Sequence, residues 1–215
     1  MARLETPGFQ RFQQALPGTL GVTFAGAEAS IAVSYAHLGG DASFVTALPR
    51  HELADACIAN LKSFGVDTQH ILRTEEGRLG LYFLEHGVNQ RPAQVIYDRV
   101  GSAVAMTTAD QYDWDAIFAD ADWFVISGIT PAISKNAAEV SRIAVTEANR
   151  RKIRIACDMN YRSKLWQWDT SKTARDLAGE TMRQLLPSVE LLIAGEEDLI
   201  QTLGYPQKHE IEELL

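Results

Sequence analysis

The sequence predicts an α/β fold: a mostly parallel sheet with helices on both faces, three layers in all, and a small β-sheet standing out from it. Three observations carry that expectation. Short apolar runs alternate with helix-length amphipathic segments over most of the 215 residues, which places parallel strands beside crossover helices. The alternation breaks once, where "LGLYFLEHG" and "AQVIYDR" are separated only by "VNQRP". No helix fits there, so the two runs read as a hairpin. Finally, 46% of the residues are hydrophobic and 22% charged, enough apolar surface for a real core in one large or two small domains.

Each element has its own signal. After a polar opening, "LGVTFA" (20–25) alternates like a strand. An alanine-rich helix is expected over 27–38, stopped by Gly39–Gly40. "ASFVTAL" (42–48) reads as a second strand, and residues 51–64 as a helix with Leu53, Cys57, Leu61 and Phe64 on one face. Beyond the hairpin the alternation resumes. Helices are expected over 113–119, 134–150, 172–186 and 196–203, and strands at "DWFVISG", "IRIACDM" and "ELLIAG". No repeat, low-complexity tract or long linker interrupts the pattern.

Composition excludes several functions. The net charge of −8 argues against nucleic acid or an anionic membrane as the main partner. No apolar stretch approaches the ~18 residues of a membrane span, and no charged-then-apolar leader precedes the first polar segment. A cytoplasmic protein is expected. Cys57 and Cys157 lie far apart without C-x-x-C spacing, so two buried thiols are the simplest reading. His37, His51, His70, His86 and His209 form no ligand pair at helical spacing, and no structural metal is assigned.

The candidate chemistry gathers at strand ends. In "VIYDR", Tyr97 and Arg99 share one face of the strand and Asp98 takes the other. A phenol beside a guanidinium suits a ligand with hydroxyls and a carboxylate; a solvated strand face reads equally from these residues alone. "CDMNYRSKLW" closes a buried strand with Asp158, Asn160 and Arg162, where ligands of open parallel sheets collect and where turn chemistry also favours Asp and Asn. "SGIT" and "GEED" close two further strands. Gly26 offers free N–H donors at a helix start, but G-x-G-x-x-G is absent, which argues against a dinucleotide site. Trp166 and Trp168 are expected to pack rather than to bind.

In order along the chain, "FAGAEAS", "GLYFLE", "NQRPAQVIYDR", "SGITP", "DMNYRSKLW" and "GEEDL" resemble the ribokinase-like (PfkB) carbohydrate kinases, from about Phe9 to Gly204. "YDR" and "NYR-x-x-LW" resemble the sugar-acid branch, whose substrate is of the 2-dehydro-3-deoxy-D-gluconate type. The resemblance implies one ribokinase-like α/β domain over 1–215 with a β lid from about 9–24 and 79–100. It also implies transfer of a phosphoryl group from ATP, with Mg2+, to a sugar acid, in a homo-oligomer joined through the lid. Sugar contacts would come from Gly26, Ala27, Glu28, Ala29 and Ser30, from Tyr82, Tyr97, Asp98 and Arg99 of the lid, and from Ile129 and Arg162. Asn160, Tyr161 and Arg162 would border the nucleotide, with Glu197 and Asp198 near the metal and phosphates.

The chain departs from the family pattern in four places. Ser30 and Gly195 stand where asparagine is usual. No G-x-G-D occurs, the motif whose Asp is the family's general base, and "LGGD" at 38–41 has the wrong context. The family's first strand is expected to lie before Met1. The chain therefore reads as truncated at both ends, with no catalytic residue assigned and no activity expected of it alone. Two alternatives stand beside the sugar-acid kinase: a kinase of a neutral sugar or nucleoside, and a non-catalytic sugar-binding fragment.

Overall fold

The structure, a computed structural model, describes residues 1–206. They fall into two compact units, one over Met1–Met106 and one from Thr107 onward.

The first unit is built around β1 (Ala2–Glu5), α1 (Phe12–Ala15), β2 (Gly21–Phe24), α2 (Ala27–His37), β3 (Thr46–Pro49), α3 (Glu52–Ser63), β4 (Ile71–Thr74), β5 (Leu81–Glu85), β6 (Gln94–Asp98) and α4 (Ala103–Met106). Four strands form one sheet in the order β2-β1-β5-β6. β1 runs antiparallel to β2 and parallel to β5, while β5 and β6 form the expected antiparallel hairpin with Tyr82 opposite Tyr97. β3 and β4 form a separate parallel pair. The stretch 9–20 carries the helical turn α1, and β1 is the strand between β2 and β5.

The core of this unit joins Ala2, Leu48, Ala54, Cys57, Leu61, Val66, Ile71 and Leu79, flanked by Ala29, Ala32, Val33 and Ala36 of α2. Those small side chains explain the alanine-rich helix: they let α2 approach the core closely. α3 turns Ala54, Cys57 and Leu61 inward, while Leu53 is 60% exposed and Phe64 47%. The expected face was thus rotated. An i, i+3, i+7 row starting at Ala54 buries more evenly than one starting at Leu53, and His51 Nδ1 fixes the start by accepting from the Ala54 N–H at 3.3 Å. Gly39, at φ +88°, ends α2 as expected.

The second unit holds α5 (Trp114–Ile117), β7 (Trp123–Ser127), α6 (Ile129–Ala132), α7 (Lys135–Arg150), β8 (Arg154–Asp158), α8 (Ala174–Leu185), β9 (Leu191–Ile193) and α9 (Glu196–Leu203). The strands form a parallel sheet in the order β7-β8-β9. Helices follow strands throughout, so the expected α/β class holds. Ser134 and Thr173 cap α7 and α8 by accepting from the N–H groups of Ala137 and Asp176. Ile155, Ala156 and Cys157 of the central strand are buried, whereas Leu191, Leu192 and Ile193 of the edge strand are 49%, 39% and 53% exposed. The helix expected over 113–119 is a single turn, pinned by Trp114 stacking between Tyr112 and Phe118. Cys57 and Cys157 are both buried, and neither is in a disulfide. Trp166 is buried, and Trp168 Nε1 donates to the Pro131 carbonyl at 3.1 Å.

Candidate substrate and nucleotide site

In the first unit, strand register brings three of the expected residues together. Tyr82 and Tyr97 are direct cross-strand partners, so their rings lie on one face of the sheet with centroids 6.5 Å apart. Arg99, two residues beyond Tyr97, keeps the same face and lays its guanidinium over the Tyr97 ring, 4.9 Å from the centroid. Arg99 is only 9% exposed, and its Nε–H is buried without a hydrogen-bond partner. Burial pulls its pKa down from the usual arginine range, opposed by attraction to Tyr97, Glu28 and Tyr82. The carboxylate of Glu28, in the first turn of α2, is thus one of the groups whose charge favours the Arg99 guanidinium.

The other expected residues of this unit behave differently. Asp98 points to the opposite face, where it pairs with Arg78. Arg78 Nη2 also donates to the Val100 carbonyl at 2.9 Å, stapling the end of β6. Ala29 packs against the core, Ala27 is half-buried, and Ser30 is exposed. Gly26 has an extended backbone at φ 165°, ψ 145°, which any residue can adopt. A Cβ there would approach nothing closer than the Ala29 Cβ at 3.4 Å. Neither backbone strain nor internal packing demands this glycine. A cavity of about 560 Å3 between Glu5, Phe9, Thr19 and His86 includes none of the expected residues.

In the second unit the strand ends are cross-linked. The Gly128 N–H donates to the Asp158 carbonyl at 2.8 Å, joining the ends of β7 and β8. A Cβ on Gly128 would stand 2.2 Å from the Met159 carbonyl oxygen, so this close approach requires glycine. Ile129 follows at the start of α6, its N–H directed to Ser127 Oγ at 3.3 Å. Past β8, Asn160 adopts the left-handed region at φ +36° and donates from Nδ2 to Asp158 Oδ2 at 3.3 Å. Arg162 is exposed, with Nη1 donating to the Tyr161 carbonyl at 3.1 Å.

Asp198 is committed to structure. Its Oδ1 accepts from the Tyr161 N–H at 3.0 Å and its Oδ2 from the Gly195 N–H at 2.9 Å. It therefore caps α9 and binds the turn after β8 to the turn after β9. Glu197 is exposed. Among the described residues, no three His, Cys, Asp or Glu side chains gather closely enough to hold a metal ion. The attraction between Glu28 and Arg99 and the role of Arg78 were missed in the sequence, because each joins residues 20 or more positions apart with no local spacing signal. Asp158 stood out at its strand end, but nothing in the sequence showed that it orients Asn160.

The sequence matches the pfkB family carbohydrate kinases over residues 5–215. It is 35% identical over 199 residues to the 2-dehydro-3-deoxygalactonokinase of Haloferax volcanii, covering 93% of this chain and 59% of that protein. It is 29% identical over 157 residues to the 2-dehydro-3-deoxygluconokinase of Bacillus subtilis, covering 72% of this chain and 48% of the other. The crystal structure of 2-dehydro-3-deoxygluconokinase from Thermotoga maritima is similar with a TM-score of 0.88 at 39% identity, covering 97% of this chain and 61% of that one. The chain thus spans about half to three fifths of the length of these relatives. With the family match spanning nearly its whole length, the chain belongs to the pfkB family of carbohydrate kinases.

Proposed function

We propose that this chain carries the sugar-acid and nucleotide contacts of a kinase that phosphorylates 2-dehydro-3-deoxy-D-gluconate with ATP. The single observation that carries the reading is Arg99: a buried guanidinium with an unpartnered Nε–H, held over Tyr97. A buried cation with an unused donor is costly unless a ligand supplies an acceptor, and a sugar carboxylate supplies two. A neutral sugar would offer that Nε–H no charged acceptor. The names of the Haloferax, Bacillus and Thermotoga relatives support a 2-dehydro-3-deoxy sugar acid, with the galactonate epimer the nearest variation.

In this reading Arg99 receives the carboxylate, and the phenols of Tyr82 and Tyr97 serve hydroxyls on the same face. The start of α2, from Gly26 to Ser30, approaches the sugar with backbone N–H groups. Asn160, Tyr161 and Arg162 border the nucleotide, and ATP supplies the phosphoryl group transferred. The described acidic residues do not form a protein shell for Mg2+: Asp198 is committed to two backbone N–H groups and Glu197 stands exposed. The 215 residues contain no G-x-G-D, so the chain binds and orients while the proton-accepting carboxylate is absent from it. Val22 and Ile96, exposed at 56% and 55% on the sheet's outer strands, support pairing of two copies through the lid. The test is calorimetric titration of the chain with 2-dehydro-3-deoxy-D-gluconate and, separately, with fructose. Saturable binding of the acid alone is expected; preference for fructose would overturn the assignment.

A further inference from the structure

The turn that closes β8 holds an acceptor without a donor. Asn160 Nδ2 donates to Asp158 Oδ2 at 3.3 Å, while Asn160 Oδ1 is buried with no hydrogen-bond partner. A carboxylate can only accept, so the amide must turn its NH2 towards Asp158 and its oxygen away. The backbone leaves little freedom to change this. Asn160 sits at φ +36°, the Asp158 carbonyl is held by the Gly128 N–H, and the Tyr161 N–H by Asp198. Buried polar atoms are normally satisfied, so this oxygen marks a place where something bound brings a donor.

We infer that Asp158 is a positioning residue that fixes the Asn160 amide so that the turn presents Oδ1 to a hydroxyl of a bound ligand. A phosphate oxygen is excluded as the direct partner, because two acceptors facing each other repel. The hydroxyl belongs to the sugar acid or to the ribose of the nucleotide; this choice of ligands rests on the kinase reading above. Asn160 then reads a hydroxyl, and recognition of anionic groups on this side falls to Arg162, whose charge is exposed.

The test uses the 215-residue chain in EDTA and three probes: 2-dehydro-3-deoxy-D-gluconate, ATP and inorganic tripolyphosphate. D158N lets the amide turn over, and N160G removes the acceptor while keeping the left-handed backbone. Both are expected to weaken the sugar acid or ATP about tenfold, the worth of one hydrogen bond, and to leave tripolyphosphate unchanged. Loss for the sugar acid assigns the hydroxyl to the sugar; loss for ATP assigns it to the ribose. The exchanged pair D158N/N160D restores a donor facing an oriented acceptor, in a residue type that also tolerates the left-handed region, and is expected to recover most of the affinity. That rescue would not occur if Asp158 merely stabilised the turn. Unaltered sugar-acid and ATP binding in D158N and N160G, equal weakening of tripolyphosphate, or no rescue by the exchange would overturn the inference. A wild-type chain that binds none of the probes would instead overturn the kinase reading and, with it, the role given to Oδ1.

Discussion

Replacing Arg99 by methionine separates binding from stability, because the structure predicts different magnitudes for the two. Methionine nearly matches the arginine stem in volume and has no charge to desolvate. In the ligand-free chain, Arg99→Met gives up a cation–π contact with Tyr97, worth roughly 0.5–2 kcal/mol, and the attraction to Glu28. In return it removes a buried guanidinium whose Nε–H has no partner, which relieves the cost of an unsatisfied buried donor. The two nearly cancel, so the melting temperature should move by no more than a few degrees. Binding has no such compensation. A charge-assisted hydrogen bond contributes roughly 1.5–3 kcal/mol, so affinity for the sugar acid should fall about 10-fold to 100-fold while ATP affinity stays the same. Calorimetric titration of both ligands, with thermal unfolding of both proteins, checks this. Unchanged sugar-acid affinity would refute the carboxylate role, and a large loss of stability with intact affinity would make Arg99 a structural residue.

Other expectations follow from the same geometry. Gly26→Ala should leave thermal stability almost unchanged, since its backbone is extended and the new Cβ meets nothing closer than 3.4 Å, yet weaken the sugar acid by about an order of magnitude if the ligand occupies that space. A drop in stability without a change in binding would reverse that reading. Backbone amides of residues 79–99 should gain hydrogen-exchange protection when the sugar acid is added; equal protection in both states would argue against a lid. Asp198→Ala removes the acceptor of two backbone N–H groups and should cost about 1–3 kcal/mol in thermal or urea unfolding, with no effect contradicting its capping role. The 215-residue chain should show no phosphoryl transfer, because a positioned base typically contributes ~100-fold to 10,000-fold and G-x-G-D is absent; turnover with verified stoichiometry would sink that expectation.

Much of the fold was legible because its signals are local. α9 matched the expected 196–203 residue for residue, and α7 and α8, which Ser134 and Thr173 cap, lay within a residue or two of the expected ends. The hairpin was legible from the length of "VNQRP" alone. β1 and β4 were not. Four-residue strands such as "ARLE" and "ILRT" are too short for alternation to stand out, and their pairing with β5 and β3 depends on contacts far along the chain. Leu53 shows the same limit: it satisfies helical spacing, but the burial of α3 is set by what packs against it. In the candidate site, parity along β6 was enough to place Tyr97 and Arg99 together and Asp98 apart. The commitment of Asp198 to two N–H groups, and the orientation of Asn160 by Asp158, depend on three-dimensional closure of strand ends that no spacing encodes.

The most direct measurement is a crystal structure of this chain with 2-dehydro-3-deoxy-D-gluconate bound. The account predicts the sugar carboxylate at about 2.7–3.2 Å from guanidinium nitrogens of Arg99, with hydroxyls facing Tyr82 and Tyr97. A sugar bound elsewhere, or a carboxylate turned to solvent with Arg99 Nε still unpartnered, would contradict it.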